Sequence, residues 1–155
     1  MSLTPEQFKE FFRHHAAGVS LVTVFDENRE PYGFTASSLA SLSADPAHAT
    51  VNLAANTSTS KIIKLGSKVS VHTLAKDHRA LAKELAGPRE ERFISEGWNL
   101  ELAAPENQNA SAILRAEVAE IHPVAGSLIL VLRATESETF AFPEHPLVYF
   151  NREFI

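Results

Sequence analysis

Cysteine is absent from this 155-residue chain. That excludes a disulfide scaffold, a thiolate-ligated zinc or iron–sulfur site, and any thiol nucleophile. An excess of cations is lacking as well: 14 Lys and Arg stand against 19 Asp and Glu, for a formal net charge of −5. No basic cluster is present to neutralise a row of phosphates, so nucleic acid is not an expected partner. Long apolar runs are missing. Leu128-Ile-Leu-Val-Leu132 falls far short of the ~20 residues a membrane span requires. Glu6, Lys9 and Glu10 interrupt the apolar residues near the N-terminus, unlike a secretory leader. These features predict a soluble, cytoplasmic protein.

The 7 histidines form no HxH or HExxH pattern, and His14 and His15 are adjacent, pointing different ways around a helix. No metal site is expected. The serines make no GxSxG elbow, so a hydrolytic triad has no support. At 45% hydrophobic and 21% charged, the composition is that of an ordinary globular protein. The length predicts a single domain over residues 1–155.

The pattern along the chain is mainly β with short helices. Residues 4–16 read as an amphipathic helix: Thr4 caps, Pro5 suits the first position, and Gln7 completes a capping box. Phe8, Phe11 and Phe12 make its apolar stripe. β-Branched and alternating runs predict strands over 18–25, 32–43, 48–54, 68–74, 112–122, 127–135 and near the C-terminus. Helices are predicted over 61–65, ended by Gly66, and over 77–86, ended by Gly87-Pro88. This succession argues for a small barrel rather than a doubly wound sheet.

Two segments are rich in hydroxyls. In the first, an unbroken strand would align Thr35, Ser37, Ser41 and Ser43 on one face, with small residues opposite. It fits either a barrel corner or a close approach to a flat aromatic ligand. In the second, Thr57-Ser-Thr-Ser60 precedes a helix, where unpaired N–H groups favour a phosphate. Hydroxyls are also ordinary helix caps, but four in a row exceed what capping needs. His72, inside an apolar strand, is expected to be a hydrogen-bonded interior group. Trp98 either covers a ligand or joins the core.

Gly18-Val-Ser-Leu-Val-Thr, then Gly33-Phe-Thr-Ala-Ser-Ser-Leu-Ala-Ser-Leu-Ser-Ala-Asp-Pro46, resemble the flavin reductase-like, FMN-binding split-barrel family. The resemblance continues through Val51-Asn-Leu, Thr57-Ser-Thr, Val69-Ser-Val-His-Thr-Leu74, Leu81-Ala-Lys-Glu-Leu-Ala-Gly87, Glu91-Arg-Phe93, Pro146-Leu-Val-Tyr-Phe150 and Arg152. It implies a homodimeric, six-stranded split β-barrel with flavin at the subunit interface. It also implies reduction of FMN, or FAD, by NADH or NADPH, with reduced flavin passed on in some members to a partner monooxygenase. By resemblance, Thr35, Ala36, Ser37 and Ser38 hold the ring and ribityl chain, and Asn52, Leu53 and Ala54 flank the ring. Thr57, Ser58 and Thr59, with Lys61 nearby, hold the phosphate, and Tyr149 and Arg152 approach from the C-terminal segment. No side chain is expected to act as an acid or base. The chain departs from the family pattern at Gly126-Ser127-Leu128, where many members carry a His-bearing turn, and at His72, where Asn is usual. These departures leave a second reading open, a non-catalytic carrier or sensor that binds FMN or haem.

Overall fold

β-Branched and aromatic residues, punctuated by Gly, Pro, Asn and Asp, set the strands of this chain. The computed structural model describes residues 2–155. In chain order the strands are β1 (Ala17–Gly18), β2 (Ser20–Phe25), β3 (Pro31–Ala36), β4 (Ala40–Ala44), β5 (Ala47–Ala54), β6 (Lys68–Thr73), β7 (Trp98–Asn99), β8 (Glu106–Asn107), β9 (Ala112–Val124), β10 (Ser127–Thr139), β11 (Val148–Phe150) and β12 (Glu153–Phe154). Three helices accompany them: α1 (Pro5–Arg13), α2 (Ser58–Ile62) and α3 (Arg79–Ala86).

Seven strands form one antiparallel sheet in the order β3-β2-β6-β9-β10-β5-β4. Its two edge strands, β3 and β4, are consecutive in the chain, joined only by Ser37, Ser38 and Leu39. Successive Cα atoms are about 3.8 Å apart, so the sheet must curl until its edges nearly meet. The result is a barrel with an open seam. Ser38 bridges that seam: its Oγ accepts from the Asn52 backbone N–H on β5 at 2.9 Å. The long β9–β10 hairpin closes on Ala125-Gly126, both at positive φ (49° and 79°), as its two-residue turn requires.

Inside the barrel lie Val22, Val24, Val51, Leu53, Val69, Val71, Val118, Leu130 and Leu132, all nearly free of solvent. Burying each such side chain stabilises the fold by roughly 1.5–3 kcal/mol. A second cluster lies outside the barrel, where α3 packs Leu81, Ala82 and Leu85 against Val19, Leu21, Leu74 and Leu147. β2 therefore has both faces covered, which is why it is buried at every position from Ser20 to Val24, the polar Ser20 and Thr23 included, rather than alternately.

Several expectations are corrected. The predicted strand over 32–43 divides at residues 37–39, and β4 carries an irregularity between Ser41 and Ser43, so the proposed common face of Thr35, Ser37, Ser41 and Ser43 does not form. Closing the curled sheet demands that break, and it raises the number of strands in the sheet. The helix expected over 61–65 begins instead at Ser58 and ends at Ile62, because Thr57 is its cap. Both long strands of the β9–β10 hairpin run further than predicted. α1 has its capping box, but its aromatic stripe is not buried. Phe8, Phe11 and Phe12 are 54%, 66% and 48% exposed and touch mainly one another. The helix is tied down at its last turn, where the Arg13 carbonyl accepts from Asn151 N–H and Arg13 Nε donates to Asn151 Oδ1.

Candidate functional site

Beside the seam lies a cavity of about 280 Å³, lined by Val19, Thr35, Ala36, Ser37, Ala86, Tyr149 and Phe154. The end of β3 supplies its small side chains. The β11–β12 hairpin supplies two rings, Tyr149 and Phe154, with centroids 5.5 Å apart. Small residues on one side and aromatic rings on the other suit a planar, mostly apolar group. Thr35 Oγ1 donates to the Ala82 carbonyl of α3 at 2.5 Å, which fixes β3 against that helix. Gly33 makes this packing possible. A Cβ there would meet the Val22 carbonyl at 2.8 Å and Leu85 and Phe93 at 3.1 Å.

Along the seam, Asn52 and Ala54 point outward from β5 while Leu53 points into the core. Thr57 Oγ1 donates to the Ala54 carbonyl at 3.2 Å, so Ser38, Asn52, Ala54 and Thr57 form one line. The four hydroxyls at the start of α2 are used unevenly. Thr57 and Ser60 form a capping box, each accepting from the other's backbone N–H. Thr59 is buried and donates to the Gly33 carbonyl at 3.3 Å. Ser58 is half-buried, and its hydroxyl makes no hydrogen bond within the described residues.

Of the predicted residues, the cavity brings together Thr35, Ala36, Ser37 and Tyr149, and the seam adds Ser38, Asn52, Ala54 and Thr57. Leu53 contributes no side chain to either. Lys61 lines a different recess, with Asp26, Glu27 and Asn28. Arg152 sits exposed in the β11–β12 turn at φ 63° and does not line the cavity. Sequence reasoning missed Val19, Ala86 and Phe154. Phe154 pairs across the hairpin with Tyr149, a relation visible only once the turn at Asn151-Arg152 is recognised. It also assigned no role to Arg92, whose Nη1 donates to the Gly33 carbonyl at 2.8 Å and whose Nε donates to the Gly87 carbonyl at 2.9 Å.

Two strands away, β6 carries a second, closed polar group. His72 is fully buried; its Nε2 accepts from Asn107 N–H at 3.1 Å, and its Nδ1 lies 3.4 Å from the Leu21 carbonyl. Burial lowers its pKa to about 4, so the ring is neutral. Glu106 is also buried. Burial alone would raise its pKa, but hydrogen bonds from Arg115 and Ser70 overcome that and hold the carboxyl below its usual range. Arg115 grips Glu106 with two bonds, at 2.7 and 2.8 Å, and also pairs with Glu136 and Glu138. These contacts fasten the segment around β7 and β8 to β6 and β9. Trp98 belongs to that segment and donates from its indole N–H to Glu84 at 3.1 Å. Among the described residues no cluster of His, Asp and Glu suited to a metal ion occurs, and no helix is long and apolar enough to cross a membrane.

Residues 12–155 match the family model described as the flavin reductase like domain. The FMN reductase (NADH) RutF of Agrobacterium fabrum is 32% identical, over 89% of this chain and 80% of its own. The NADH:FMN oxidoreductase of Rhodococcus erythropolis is 29% identical, over 92% of this chain and 76% of its own. Among solved structures, a flavin reductase domain protein from an Arthrobacter species superposes with a TM-score of 0.89 at 31% identity, covering 98% of this chain and 94% of that one.

Proposed function

The chain belongs to the flavin reductase-like family, and from that premise we propose which of its residues serve the activity and in what assembly. The protein is an oxidoreductase of the flavin reductase type, using NADH or NADPH and a flavin. We read the flavin as FMN, with FAD as the alternative, and the enzyme as cytoplasmic, supplying reduced flavin to a partner monooxygenase. The observation that carries the site assignment is the cavity beside the seam. Its small lining and paired rings fit a flat ring system, and the hydroxyl-bearing seam runs on from it.

When bound, the flavin supplies a hydride acceptor, and the transfer calls for no acid or base from the protein. The protein's own residues bind and orient. Ala36 and Ser37 allow close approach on one side, and Tyr149 closes the other. The backbone N–H groups of Ser37 and Ser38 leave the ladder where β3 ends, within reach of a ring's polar edge. Ser38 and Asn52 define the seam along which a ribityl chain would run. Ala54 lies on the same line, and Leu53 contributes only its backbone. Thr57 and Ser58 hold the phosphate end, and Thr59, buried, fixes α2 against β3, while Lys61 and Arg152 stand away from that end.

A second copy of the chain completes the reading. The cavity is small for a whole flavin, β4 is exposed along its full length, and the aromatic face of α1 is uncovered. A homodimer with flavin between protomers would cover these surfaces. The test is anaerobic: FMN is added, NADH is titrated in, and the visible spectrum is followed. Rapid bleaching is expected. A flavin that binds yet stays yellow would overturn the enzymatic assignment, and a monomer by light scattering would overturn the interface site.

A further inference from the structure

We propose that a cavity at the start of α3 binds a small carboxylic acid with an apolar body, at a site separate from that of the flavin.

The first observation is the path of the chain. A cavity of about 580 Å³ opens between a short helical turn, Lys76–His78, the start of α3, residues 109–111 and the segment leading from β10 to β11. That segment is fastened at both ends. Phe140 and Ala141 donate their N–H groups to the Ser111 carbonyl, and the His145 carbonyl accepts from Lys76 N–H at 2.9 Å. Between these fixtures no backbone hydrogen bond ties residues 142–144 to the rest of the described chain. Pro143 has no N–H to offer, and Phe142 stands 98% exposed instead of folding inward. The segment bows away from the barrel, and the cavity lies beside the bow. Ala75, Ala110, Ala141 and Pro143 give it an apolar lining.

The second observation is a pair of unspent donors. Ser111 is only 6% exposed, and its backbone groups are taken up by Thr73, Phe140 and Ala141. Its hydroxyl makes no hydrogen bond within the described residues. The His78 ring accepts at Nδ1 from Ala75 N–H at 2.9 Å, which leaves the ring proton on Nε2. Nε2 lies 3.7 Å from Asp77, too far for a hydrogen bond, although the His78 side chain is only 20% exposed. No sealed side-chain polar atom in the described residues lacks a partner. Both donors therefore face open space, and the cavity is the space their residues line. Donors set in an apolar pocket call for an acceptor that brings its own apolar body.

Charge makes that acceptor a carboxylate. Lys76 and Arg79 stand at the mouth, and neither has a carboxylate within 4.0 Å among the described residues. α3 opens there with no side-chain cap and no acid in its first turn, so its dipole adds to the positive field. Asp77 and Glu144 also line the cavity, but their side chains are 86% and 92% exposed, out in water. With two acids so near, the field suits one carboxylate better than a doubly charged phosphate. The cavity beside the seam is reached at Ala86, the other end of α3, about 10 Å along the helix. A ligand here does not displace the flavin.

The experiment is calorimetric titration of benzoate, benzamide and inorganic phosphate into the protein with FMN added, as wild type, Ser111→Ala and Arg79→Gln. Benzoate should bind saturably and at least about tenfold more tightly than benzamide, as charge-assisted hydrogen bonds require, and phosphate should give no binding heat. Ser111→Ala should weaken benzoate about tenfold and leave thermal denaturation without benzoate unchanged, since it removes no bond within the protein. Arg79→Gln should weaken benzoate by less. FMN affinity should hold in both variants. Absence of benzoate binding, or equal binding of benzamide, would overturn the inference by making the cavity a mere hollow. Phosphate binding as tight as benzoate would make it a diffuse basic surface and overturn it too. Lost thermal stability in Ser111→Ala with benzoate binding intact would give the hydroxyl a structural partner instead. Benzoate inhibition competitive with NADH would assign the cavity to the nicotinamide nucleotide, which also overturns it.

Discussion

Arg115 and Arg92 stand at two ends of one row of paired residues, Gly33, Thr23, Ser70 and Arg115, that crosses β3, β2, β6 and β9. Arg115 is surrounded by Glu106, Glu136 and Glu138, and these carboxylates raise its pKa. Arg92 is bound by two carbonyls and no carboxylate. The first is part of a complete network in which Ser70, Glu106, Asn107 and His72 all have partners; no buried side-chain polar atom in the described residues lacks one. The second leaves donors and charge unspent. A cation whose counter-ions come from the protein fastens structure, whereas one left short of counter-ions is available to a ligand.

The largest effect that would test this contrast is on stability. Arg115→Ala leaves Glu106 buried with only Ser70, and should cost about 3 kcal/mol, the lower end for breaking a buried pair. Urea denaturation measures it, and flavin affinity should not change. A variant as stable as wild type would show that the closed network does not fasten the fold.

The pH dependence comes next. Unfolded His72 takes up a proton near pH 6.5, whereas the folded ring refuses it until about pH 4. Stability from this residue is therefore complete above pH 6.5 and declines as pH falls towards 4, by up to about 3 kcal/mol. Glu106, whose folded pKa is depressed, keeps its full contribution above its ordinary value of 4.5 and loses it progressively as pH falls below that. Urea melts between pH 7 and 4.5 should show this slope in wild type and a flatter one in His72→Asn. An identical slope in both would place the titration elsewhere.

The smallest stability change belongs to the ligand side. Thr57→Ala removes one helix cap and should cost about 1 kcal/mol in thermal denaturation without flavin. FMN retention should fall by more than that loss explains. Proportionate losses would make Thr57 a cap and nothing else.

Much of this architecture is legible in the residues themselves. The capping box of Thr4 and Gln7, the buried run of β2 and the end of the long hairpin at Ala125-Gly126 rest on local chemistry, which a sequence displays directly, although Pro123 and Val124, expected in that connection, belong to β9. The break at residues 37–39 is not legible. Nothing local forbids a continuous strand there, and only the need to join two edges of a curled sheet imposes one. The hydroxyls of 57–60 look surplus in the sequence because one of their uses is tertiary: Thr57 and Ser60 cap the helix locally, but Thr59 reaches to Gly33, across a gap no spacing rule reveals. Leu53 reads as a ring contact by resemblance, although alternation along β5 turns its side chain inward. Phe8, Phe11 and Phe12 have the spacing of a buried stripe, but no part of the described chain covers them.

Trp98 is the only tryptophan in the chain. Its ring packs 4.7 Å from Phe93 and 5.9 Å from His72, in the cluster that also holds Tyr149 and Phe154. All indole emission therefore arises from one point, in the fastened segment and against the apolar cluster on which the rings of the cavity also pack. A single fluorophore so placed makes the protein its own gauge, since detachment of that segment and arrival of a yellow ring beside Tyr149 would both register in the same light.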